Sequence, residues 1–306
     1  MNYFKKLIKE EKKILIFGKN GQLSKTFHLA FSENKNILQL SSKEVNFLNP
    51  YLIPFIVKDF KPDFIINTSA YTNVNNAEIN PEEAFAINSE ALKIIAEATK
   101  LNKSILIHYS TDYIFDGTKK KKYTPSDIPN PQNIYGKSKL AGEQNILKSG
   151  CSFFIFRISW LMSEYGNNFI KTIISKIKKE NDLFIVNDQI GSPISSNLVA
   201  KITAEILSNN NIKYNQIFHL STKGKVSWYD IALHISKTID PTNENNKIKA
   251  VKSSEYPSKV YRPMNSLFDH SAIENILETN IPFWKDDITP IIKKIDLSSL
   301  INSIHY

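Results

Sequence analysis

Short apolar runs alternate with segments of helical spacing along the first half of the chain, and this alternation limits the fold more than any other feature. Strands that are apolar throughout and separated by helices predict a parallel sheet covered on both faces. The chain is therefore expected to be a doubly wound α/β protein that binds its ligand at the carboxyl ends of the strands. The predicted strands are residues 12–18, 34–42, 63–70, 104–111 and 152–160, and the predicted helices between them are residues 20–33, 51–62, 81–102 and 135–148.

The pattern becomes looser after Trp160, where prolines interrupt short apolar pieces. This favours a smaller lobe of mixed α/β segments next to the sheet, with an asparagine-rich loop at residues 240–247. Helices are expected near residues 168–179, 197–207 and 227–238, and strands at residues 182–187 and 216–220.

These elements suggest two lobes preceded by a short extension. The predicted parts are an N-terminal extension (1–12), a Rossmann-type nucleotide-binding domain (13–160) to which residues near 185–222 return, and a substrate-binding lobe (161–184 and 223–306). The division places the ligand-binding residues of the sheet in the first half and the contacts that select a substrate in the second.

Composition and charge exclude several classes of protein. The chain has 306 residues, of which 42% are hydrophobic and 23% charged, and such a composition is globular. The net charge of +9 comes mostly from scattered lysines, which indicates a solvated basic surface; attraction of anionic ligands such as nucleotides is the alternative. The densest basic run, residues 119–122, lies between turn-like segments, so a solvated loop is favoured over a nucleic-acid site.

The cysteine count and the apolar runs bear on the compartment. The lone cysteine, Cys151, excludes an intramolecular disulfide and fits a reducing environment. The first residues are charged throughout and lack the apolar core of a signal peptide. The most apolar stretch, residues 151–162, is interrupted by Arg157 and is too short to span a bilayer. A cytoplasmic protein with no membrane partner is expected.

A glycine turn, residues 18–24, follows the first predicted strand and opens the first helix. Its small residues would let backbone N–H groups and the positive end of the helix approach a pyrophosphate, as in dinucleotide-binding proteins. Such turns are common, so the motif gains its weight from being the first strand–turn–helix unit of the chain. The candidate cofactor contacts in it are Gly18, Asn20, Gly21, Gln22 and Leu23.

The end of the second predicted strand bears on the choice between NADH and NADPH. An NAD-selective site usually has an acidic residue there, which binds the ribose 2′-hydroxyl. In this chain Ser41 and Lys43 stand at that place, and no acid occurs before Glu44. Ser41 and Lys43 would accommodate a 2′-phosphate, which favours NADPH, unless this loop does not touch the adenosine.

Tyr135 and Lys139 are four residues apart at the start of a predicted helix. Residues at this spacing share one helix face, with Cβ atoms roughly 5–6 Å apart. An ammonium there can lower the pKa of a phenol, which makes tyrosine a usable general acid. Many helices contain such a pair by chance, but Ser110 and Thr111 end the preceding strand on the same sheet edge as the glycine turn. A hydroxyl there could donate a hydrogen bond to a substrate carbonyl.

Eight motifs occur together in a recognisable order: GKNGQL, NTSAYTNVNNAE, YSTDYIFDG, PQNIYGKSKLAGE, FRISWL, GNNF, NDQIGSP and YRPMNS. In this order the chain resembles the dTDP-4-dehydrorhamnose reductases, which are extended short-chain dehydrogenase/reductases. The resemblance runs from about Lys13 to the carboxyl end. It implies reduction of the 4-keto group of dTDP-4-dehydro-β-L-rhamnose, a nucleotide sugar, by NADPH or NADH.

The resemblance also implies roles for individual residues. Gly21, Gln22 and Leu23 would hold the cofactor pyrophosphate; Asn46 and Phe47 would flank the adenine; Ala70, Tyr71 and Thr72 would line the cofactor groove. Among the catalytic residues, Thr111 would bond the reacting carbonyl, Tyr135 would donate the proton, and Lys139 would hold the nicotinamide ribose and tune Tyr135. Among the substrate contacts, Asp112 would reach the sugar, Trp160 would pack against the sugar, and Arg262 would bind the diphosphate.

Departures from the family pattern concern the edge of the cofactor site. Ser24 stands where glycine is frequent, and Asn46 and Asn75 stand where aspartate is frequent, which bears on cofactor preference more than on catalysis. The family is linked to Mg²⁺ through glutamates at a dimer contact, so a homodimer is compatible with the resemblance. No residues here can be assigned to Mg²⁺, and the histidines lack metal-ligand spacing and are interpreted as surface or core residues.

Three other functions remain as alternatives. Another reductase or an epimerase of 4-keto sugar nucleotides would use the same fold. A sugar-nucleotide dehydratase normally has an Asp-Glu pair after the threonine, but here Thr111 is followed by Asp112 and Tyr113, which disfavours dehydration. The fold resemblance extends to the regulatory β subunit of methionine adenosyltransferase, a binding protein; the combination of Thr111, Tyr135 and Lys139 favours an enzyme.

Overall fold

The structure, a computed structural model, describes residues 11–31, 34–179, 182–242, 247–255 and 260–295. Of the predicted N-terminal extension, Glu11 and Lys12 are described and the rest lies outside these residues. Of the predicted loop at 240–247, residues 240–242 and 247 are described. In the described part of the chain, no helix is both long and apolar enough to cross a membrane.

Six strands form one sheet in which every neighbouring pair is parallel. They are β1 (Ile14–Phe17), β2 (Ile37–Leu40), β3 (Phe64–Asn67), β4 (Ile105–Thr111), β5 (Ser152–Ile158) and β10 (Gln216–Leu220). Their order across the sheet is β2-β1-β3-β4-β5-β10, so the chain reverses direction across the sheet between β1 and β3. A crevice forms at such a reversal, at the carboxyl ends of the strands, and binds ligands in doubly wound folds. The predicted doubly wound α/β sheet is confirmed.

Helices cover both faces of this sheet. In the first half of the chain they are α1 (Gln22–Ala30), α2 (Ile53–Phe60), α3 (Val74–Ile79), α4 (Pro81–Phe85), α5 (Ala91–Asn102) and α6 (Ile134–Ser149), with a π-helical turn, Ala86–Glu90, joining α4 to α5. Successive residues of β1 enter different cores: Ile14 packs with Phe27 of α1, and Leu15 packs with Val57 of α2. A strand buried on both faces has no polar side, which is why these runs are apolar throughout.

Helix α2 illustrates how local sequence sets an element's end. Pro62 follows it, and a residue before proline is disfavoured in the helical region. Lys61 leaves the helix in the left-handed region, with φ 50°, and its N–H bonds to the Val57 carbonyl. The predicted helix at 51–62 is therefore shorter than its apolar pattern, and its first turn, Pro50–Leu52, is a 3₁₀ helix.

A second lobe is built from short strands and the later helices. The strands are β6 (Leu161–Met162), β7 (Leu183–Val186), β8 (Ile190–Gly191), β9 (Ile194–Ser195), β11 (Val226–Ser227), β12 (Ile248–Val251) and β13 (Asn265–Ser266). The helices are α7 (Phe169–Lys179), α8 (Ser196–Ser208), α9 (Trp228–Ile239), α10 (Ser271–Leu277) and α11 (Trp284–Lys294). α7, α9 and α11 share one apolar core, which contains Ile173, Ile231 and Ile288.

The segment near 185–222 contributes to both lobes. Its last strand, β10, pairs with β5 in the large sheet, and Val199 of α8 packs in the core on the α1 face of that sheet. β7 pairs with β12, and β8 pairs with β11 and β13, in separate small sheets. The chain therefore crosses from the sheet to the smaller lobe and back, which lets residues of both lobes face one cleft. The domain limits given above stay a prediction.

Candidate active site

A cleft of about 880 Å³ lies at the carboxyl ends of β1, β3 and β4, where the strand order reverses. It is lined by the residues that the sequence assigned to cofactor, catalysis or substrate, except Lys43 and Tyr71. The main chain of Tyr71 is instead held by Asn88, which accepts from its N–H at 2.8 Å and donates to its carbonyl at 3.1 Å. The cleft thus brings together the glycine turn, the proposed catalytic residues and Arg262, although 244 positions separate Gly18 from Arg262 along the chain.

The glycine turn is pressed against the end of β3. Gly18 has φ +99°, and a Cβ atom on it would lie 2.6 Å from Thr68 Oγ1 and 2.9 Å from the Ser69 nitrogen. Both the dihedral angle and the lack of space require glycine here. This close approach brings the turn and the Thr68–Ala70 loop to one side of the cleft.

The amino end of α1 suits an anion. Gly21 is its N-cap and supplies no side-chain acceptor, and no acidic residue occurs in the first turn. The backbone N–H groups at the start of a helix have no partner within the helix, and the helix dipole makes this end positive. A pyrophosphate placed against Gly21, Gln22 and Leu23 would satisfy these donors. The turn therefore fits the phosphates of a dinucleotide.

The carboxylate of Glu44 lies at the rim of the cleft that follows β2. Ser41 donates to Glu44 Oε2 through its backbone N–H at 2.7 Å and its hydroxyl at 2.8 Å. These two bonds lower the pKa of Glu44, which is therefore ionised at neutral pH. The donors that could bind a ribose 2′-phosphate are thus shared with a negative charge. Ser41, Asn46 and Phe47 all line this part of the cleft.

Helix α6 begins at the cleft because of Asn133 and Gly136. The Asn133 side chain caps the helix by accepting from the Gly136 N–H at 2.7 Å, and its amide donates to the Tyr261 carbonyl of the smaller lobe at 2.9 Å. Tyr135 and Lys139 lie on the face of α6 that borders the cleft, whereas Lys137 is exposed. The i, i+4 spacing therefore places both side chains where the motif predicts.

Tyr135 lies beside the end of β4. Burial raises the pKa of its phenol, hydrogen bonding with the Thr111 hydroxyl partly opposes this, and the negative charge of Asp112 adds to it. The ring of Tyr113 meets the Tyr135 ring edge to face, with centroids 5.5 Å apart. The phenol is therefore protonated at neutral pH and has a proton to donate.

Lys139 points towards the sheet. It is 2% exposed, and its Nζ lies 2.7 Å from the Tyr109 carbonyl oxygen and 3.2 Å from His108 Nε2. Burial lowers the pKa of Lys139 to about 8, while the Glu143 carboxylate opposes that shift. The sequence-based expectation that Lys139 lowers the pKa of Tyr135 does not describe this arrangement, because burial of the phenol dominates and the amine bonds to β4 instead.

A buried ion pair follows Lys139 one turn along α6. The Arg157 guanidinium donates to Glu143 through Nε at 3.1 Å and Nη2 at 2.8 Å, and both side chains are nearly inaccessible to solvent. Arg157 Nη1 also donates to the Pro125 carbonyl at 3.2 Å. This pair ties α6 to β5 and to the loop that precedes α6, so it fixes the helix that holds Tyr135.

Asp112 is buried between the lobes. Its carboxylate accepts from the Thr111 hydroxyl at 3.2 Å and from the Ser266 hydroxyl of β13. Burial raises the pKa of Asp112 to about 6, although these hydrogen bonds favour ionisation. Within the described residues, no three His, Cys, Asp or Glu side chains are grouped so that they could hold a metal ion.

Another part of the cleft wall is formed by Trp160, which follows β5, and by residues of the smaller lobe. Trp160 has φ +51°, a left-handed backbone that is rare for a bulky residue, and its ring stacks on Trp228 with centroids 3.8 Å apart. Arg262 donates to the Tyr113 hydroxyl at 3.1 Å and to Asn75 Oδ1 at 3.3 Å. Arg262 therefore links the smaller lobe to the turn after β4 and to α3.

A second cavity of about 720 Å³ adjoins the first. The two share Trp228 and Arg262, and the second is otherwise lined largely by apolar and aromatic side chains, among them Phe169, Phe184 and Tyr261. Together they form a continuous path from the glycine turn, past Tyr135, into the smaller lobe.

Several residues of the site were not singled out in the sequence. Asn67, His108, Asn133, Gly136 and Ser266 each position a predicted residue or its neighbour. Their signal is weak because their partners are distant in the chain: Asn67 and His108 become neighbours only through the register of β3 and β4. Asn133 and Gly136 could have been found, since an asparagine before a helix is a cap signal.

Comparisons with known proteins agree with this fold. The family model described as RmlD substrate binding domain matches residues 12–297. A dTDP-4-dehydrorhamnose reductase from Aggregatibacter actinomycetemcomitans is 35% identical over 282 residues, which are 89% of this chain and 96% of that protein. One from Salmonella typhimurium is 33% identical over 281 residues, 89% of this chain and 94% of that protein.

A solved structure gives the same picture. The dTDP-4-dehydrorhamnose reductase of Bacillus anthracis, determined in complex with NADP, superposes with a TM-score of 0.85 at 30% identity, covering 93% of this chain and 98% of that one. The family that the motifs resemble is thus confirmed over nearly the whole length of the chain. The chain belongs to the dTDP-4-dehydrorhamnose reductase family of nicotinamide-dependent oxidoreductases.

Proposed function

We propose that this protein reduces the 4-keto group of dTDP-4-dehydro-β-L-rhamnose with NADPH or NADH, giving dTDP-L-rhamnose. The observation that carries the proposal is the single cleft in which the glycine turn faces Thr111, Tyr135 and Lys139. The names of the relatives support the substrate, and the NADP in the Bacillus anthracis structure supports the cofactor.

The fit of a nicotinamide cofactor rests on the glycine turn. Gly18 leaves room for the backbone to approach a ligand, and the uncapped start of α1 offers N–H donors to a pyrophosphate. A bound NADPH or NADH supplies the hydride. Gly21, Gln22 and Leu23 hold its phosphates, Asn46 and Phe47 border the adenine, and Ala70 and Thr72 border the groove between.

The residues at the end of β4 and the start of α6 handle the ketone oxygen. Thr111 and Tyr135 donate hydrogen bonds to that oxygen as it gains negative charge, and the phenolic proton then transfers to it. The raised pKa of Tyr135 keeps the proton on the phenol until that charge develops. A solvent proton restores the phenol, so one ketone, one reduced nicotinamide and one proton give one alcohol and one oxidised nicotinamide.

The nucleotide part of the substrate extends into the second cavity. Arg262, which borders both cavities, binds the diphosphate, and the aromatic walls that include Phe169 and Trp228 take the base. Trp160 and Asp112 border the sugar between these ends. The basic net charge of +9 also favours an anionic substrate.

Tyr113 favours reduction over dehydration. A dehydratase needs a second acid after the threonine, and at this place the chain has a phenol whose pKa burial raises. Tyr113 is also occupied by the bond from Arg262. The cleft therefore offers one carboxyl group next to Thr111, and this supports a reductase.

The test is oxidation of NADPH and NADH in the presence of dTDP-4-dehydro-β-L-rhamnose. We expect turnover by the wild type and a kcat lowered by about 10²–10⁴-fold in Tyr135→Phe, the range for loss of a general acid. Tyr214→Phe, which alters an exposed tyrosine outside both cavities, is the matched control and keeps wild-type turnover. Absence of turnover in the wild type, or full turnover in folded Tyr135→Phe, contradicts the proposal.

The alternatives give different results in the same experiment. An epimerase would exchange hydrogen for deuterium at the carbons next to the ketone in deuterated water without oxidising cofactor. A regulatory binding protein would bind NADPH, measured by its fluorescence, without turnover of any 4-keto sugar nucleotide. Turnover with a different 4-keto sugar nucleotide and none with the rhamnose precursor would keep the reaction and replace the substrate.

A further inference from the structure

A chain of hydrogen bonds connects the cofactor groove to Lys139 through two buried side chains. The Ser69 N–H donates to Asn67 Oδ1 at 3.1 Å, Asn67 Nδ2 lies 3.2 Å from His108 Nδ1, and His108 Nε2 lies 3.2 Å from Lys139 Nζ. Asn67, His108 and Lys139 are each no more than 2% exposed. No role for Asn67 or His108 follows from the reduction described above.

The direction of these bonds sets the tautomer of His108. Because the Ser69 N–H needs an acceptor, the amide oxygen of Asn67 faces Ser69 and its NH₂ group faces the histidine. His108 Nδ1 therefore accepts. Burial holds the pKa of His108 well below its usual value, so the ring is neutral and carries one proton, which is on Nε2.

That proton points at Lys139. An ammonium group has donors only, so a charged Lys139 would face His108 donor to donor. An uncharged amine has a lone pair that accepts from Nε2–H, and it still donates to the Tyr109 carbonyl at 2.7 Å. Each of these contacts then pairs a donor with an acceptor. Burial of Lys139 acts in the same direction.

We propose that His108, with its tautomer set by Asn67, disfavours the ammonium form of Lys139 and so lowers the pH at which that residue takes up a proton. The hydrogen-bond chain rests on geometry, whereas its importance for catalysis rests on the proposed reductase function. His108 is a positioning residue, since it acts through Lys139 and does not line the cleft.

Protonation of Lys139 requires the whole chain to change. His108 must move its proton to Nδ1 so that Nε2 can accept from the ammonium, and the Asn67 amide must then turn its oxygen to His108. The Ser69 N–H loses its acceptor and becomes a free donor in the cofactor cleft, which Ser69 lines. The charge of Lys139 is thereby coupled to a backbone donor on the cofactor side.

Other groups around Lys139 act less directly. On α6, Glu143 favours the ammonium, but its carboxylate is bonded to Arg157 of β5. Tyr135, one turn earlier on α6, is a neutral phenol, and the π-helical turn that packs against α6 presents the uncharged Asn88 and Ser89. Asp112 and Glu83 line the cleft, and neither bonds to Lys139. His108 is thus the group whose proton can decide the state of the amine.

The test is NMR titration of the protein labelled with ¹³C at the lysine ε carbons, with Lys139→Met assigning the signal. Without any ligand, we expect the Lys139 signal to titrate near 8, well below the value of about 10.4 for ordinary lysines. In Asn67→Asp the carboxylate accepts from Nδ1–H, which turns the lone pair of Nε2 towards Lys139. The midpoint then rises by one unit or more, a tenfold or greater change in the acid dissociation constant.

The new carboxylate also attracts the ammonium directly, so a second background separates the two effects. In His108→Phe a phenyl ring of similar shape replaces the imidazole and cannot relay a proton. When Asn67→Asp is added to His108→Phe, we expect the midpoint of Lys139 to shift clearly less than it does in the presence of His108. Asn102→Asp, which adds the same charge on α5 away from His108, leaves the midpoint unchanged. An equal shift with and without His108 overturns the proposal.

Two further measurements test the proposal if Asn67→Asp does not fold. A Lys139 midpoint near 10 in the wild type overturns the proposal by itself. His108→Gln, whose amide oxygen can face the ammonium, is expected to raise the midpoint, and an unchanged or lower midpoint also overturns it. Because these titrations need no substrate, a protein without reductase activity can still show the relay. An active enzyme whose Lys139 titrates at the ordinary lysine value would retain the proposed function and lose the relay.

Discussion

Gly136 and Tyr113 are in such close contact that a Cβ atom at Gly136 would lie 2.1 Å from the Tyr113 carbonyl oxygen. The start of α6 is thus pressed directly against the turn that follows β4. Thr111 and Tyr135 stand on the two sides of this contact. The absence of one methyl group therefore sets the distance between the proposed proton donor and the hydroxyl that bonds the ketone.

Gly136→Ala should move the start of α6 away from this turn. We expect the free energy of unfolding to fall by about 1–3 kcal/mol, as for other overpacked sites, and kcat to fall because Tyr135 moves with the helix. Urea unfolding and cofactor oxidation measure the two effects. Lys137→Ala, an exposed change at the next position of the same helix, should alter neither. Wild-type kcat in folded Gly136→Ala would contradict this account.

Gly18→Ala should weaken cofactor binding. The added methyl group would meet Thr68 Oγ1 and the Ser69 nitrogen, and φ +99° disfavours any side chain, so the turn must open. We expect the Kd for NADPH, measured by fluorescence, to rise by tenfold or more. Gly150→Ala is the matched control: Gly150 also has a positive φ, +73°, but the nearest atom to a new Cβ is the Lys100 ammonium at 3.3 Å, outside the cleft. That variant should lose stability and keep its affinity; equal affinity in both would refute the close-approach argument.

Removal of one partner of the Glu143–Arg157 pair should be more harmful than removal of both. Glu143→Gln leaves the buried guanidinium without its counter-charge, and we expect the free energy of unfolding to fall by about 3–5 kcal/mol. The double variant Glu143→Leu, Arg157→Met removes both charges and should recover most of that loss. Urea unfolding of the two variants and the wild type checks the order, and a double variant as unstable as Glu143→Gln would contradict it.

Asp112 should make stability depend on pH. Burial raises its pKa from the ordinary 3.8 to about 6, so folding favours the protonated acid. The stabilisation is complete below about pH 4 and is lost as the pH rises through about 6. Relative to Asp112→Asn, which does not titrate, the wild type should therefore lose roughly 2–3 kcal/mol between these limits. Urea unfolding of both proteins at several pH values measures the difference, and parallel curves would exclude a raised pKa.

Glu44 should disfavour NADPH relative to NADH. Its ionised carboxylate holds both donors of Ser41, beside the place expected for the ribose 2′ group. Glu44→Gln removes the charge that repels a 2′-phosphate, so the ratio of kcat/KM for NADPH to that for NADH should increase, more at low salt than at high salt. Glu97→Gln, a change on α5 outside the cleft, should leave the ratio unchanged. An unchanged ratio in Glu44→Gln would mean that the carboxylate does not face the 2′ group.

The parts of the site that lie close together in sequence could be predicted. Gly18 and Gly21 follow an apolar strand, and Tyr135 and Lys139 share a helix face, so chain-local patterns give both their structure and their orientation. Thr111 follows because it ends a strand of a parallel sheet, whose carboxyl ends meet at one edge. Predicting the positions of these residues required no knowledge of the strand register.

Contacts between distant segments could not be predicted in this way. From the sequence His108 is interpreted only as a surface or core residue, and the pairing of Asn67 with His108 across β3 and β4 shows which groups it bonds. The effect of Lys139 on the pKa of Tyr135 stays a prediction, because spacing gives proximity and says nothing about burial or competing acceptors. Trp160 lines the cleft as expected, but its stacking on Trp228 depends on how the smaller lobe folds back.

The place of β10 at the end of the sheet also affects how the protein is made. β5 has β4 on one side from early in synthesis, but the partner on its other side, β10, is translated only after most of the first part of the smaller lobe. Until Gln216–Leu220 leaves the ribosome, the outer edge of β5 has unpaired N–H and C=O groups between apolar side chains such as Phe154 and Phe156. Such an edge invites pairing with other chains. This edge is therefore open to such pairing while residues 161–215 are being translated.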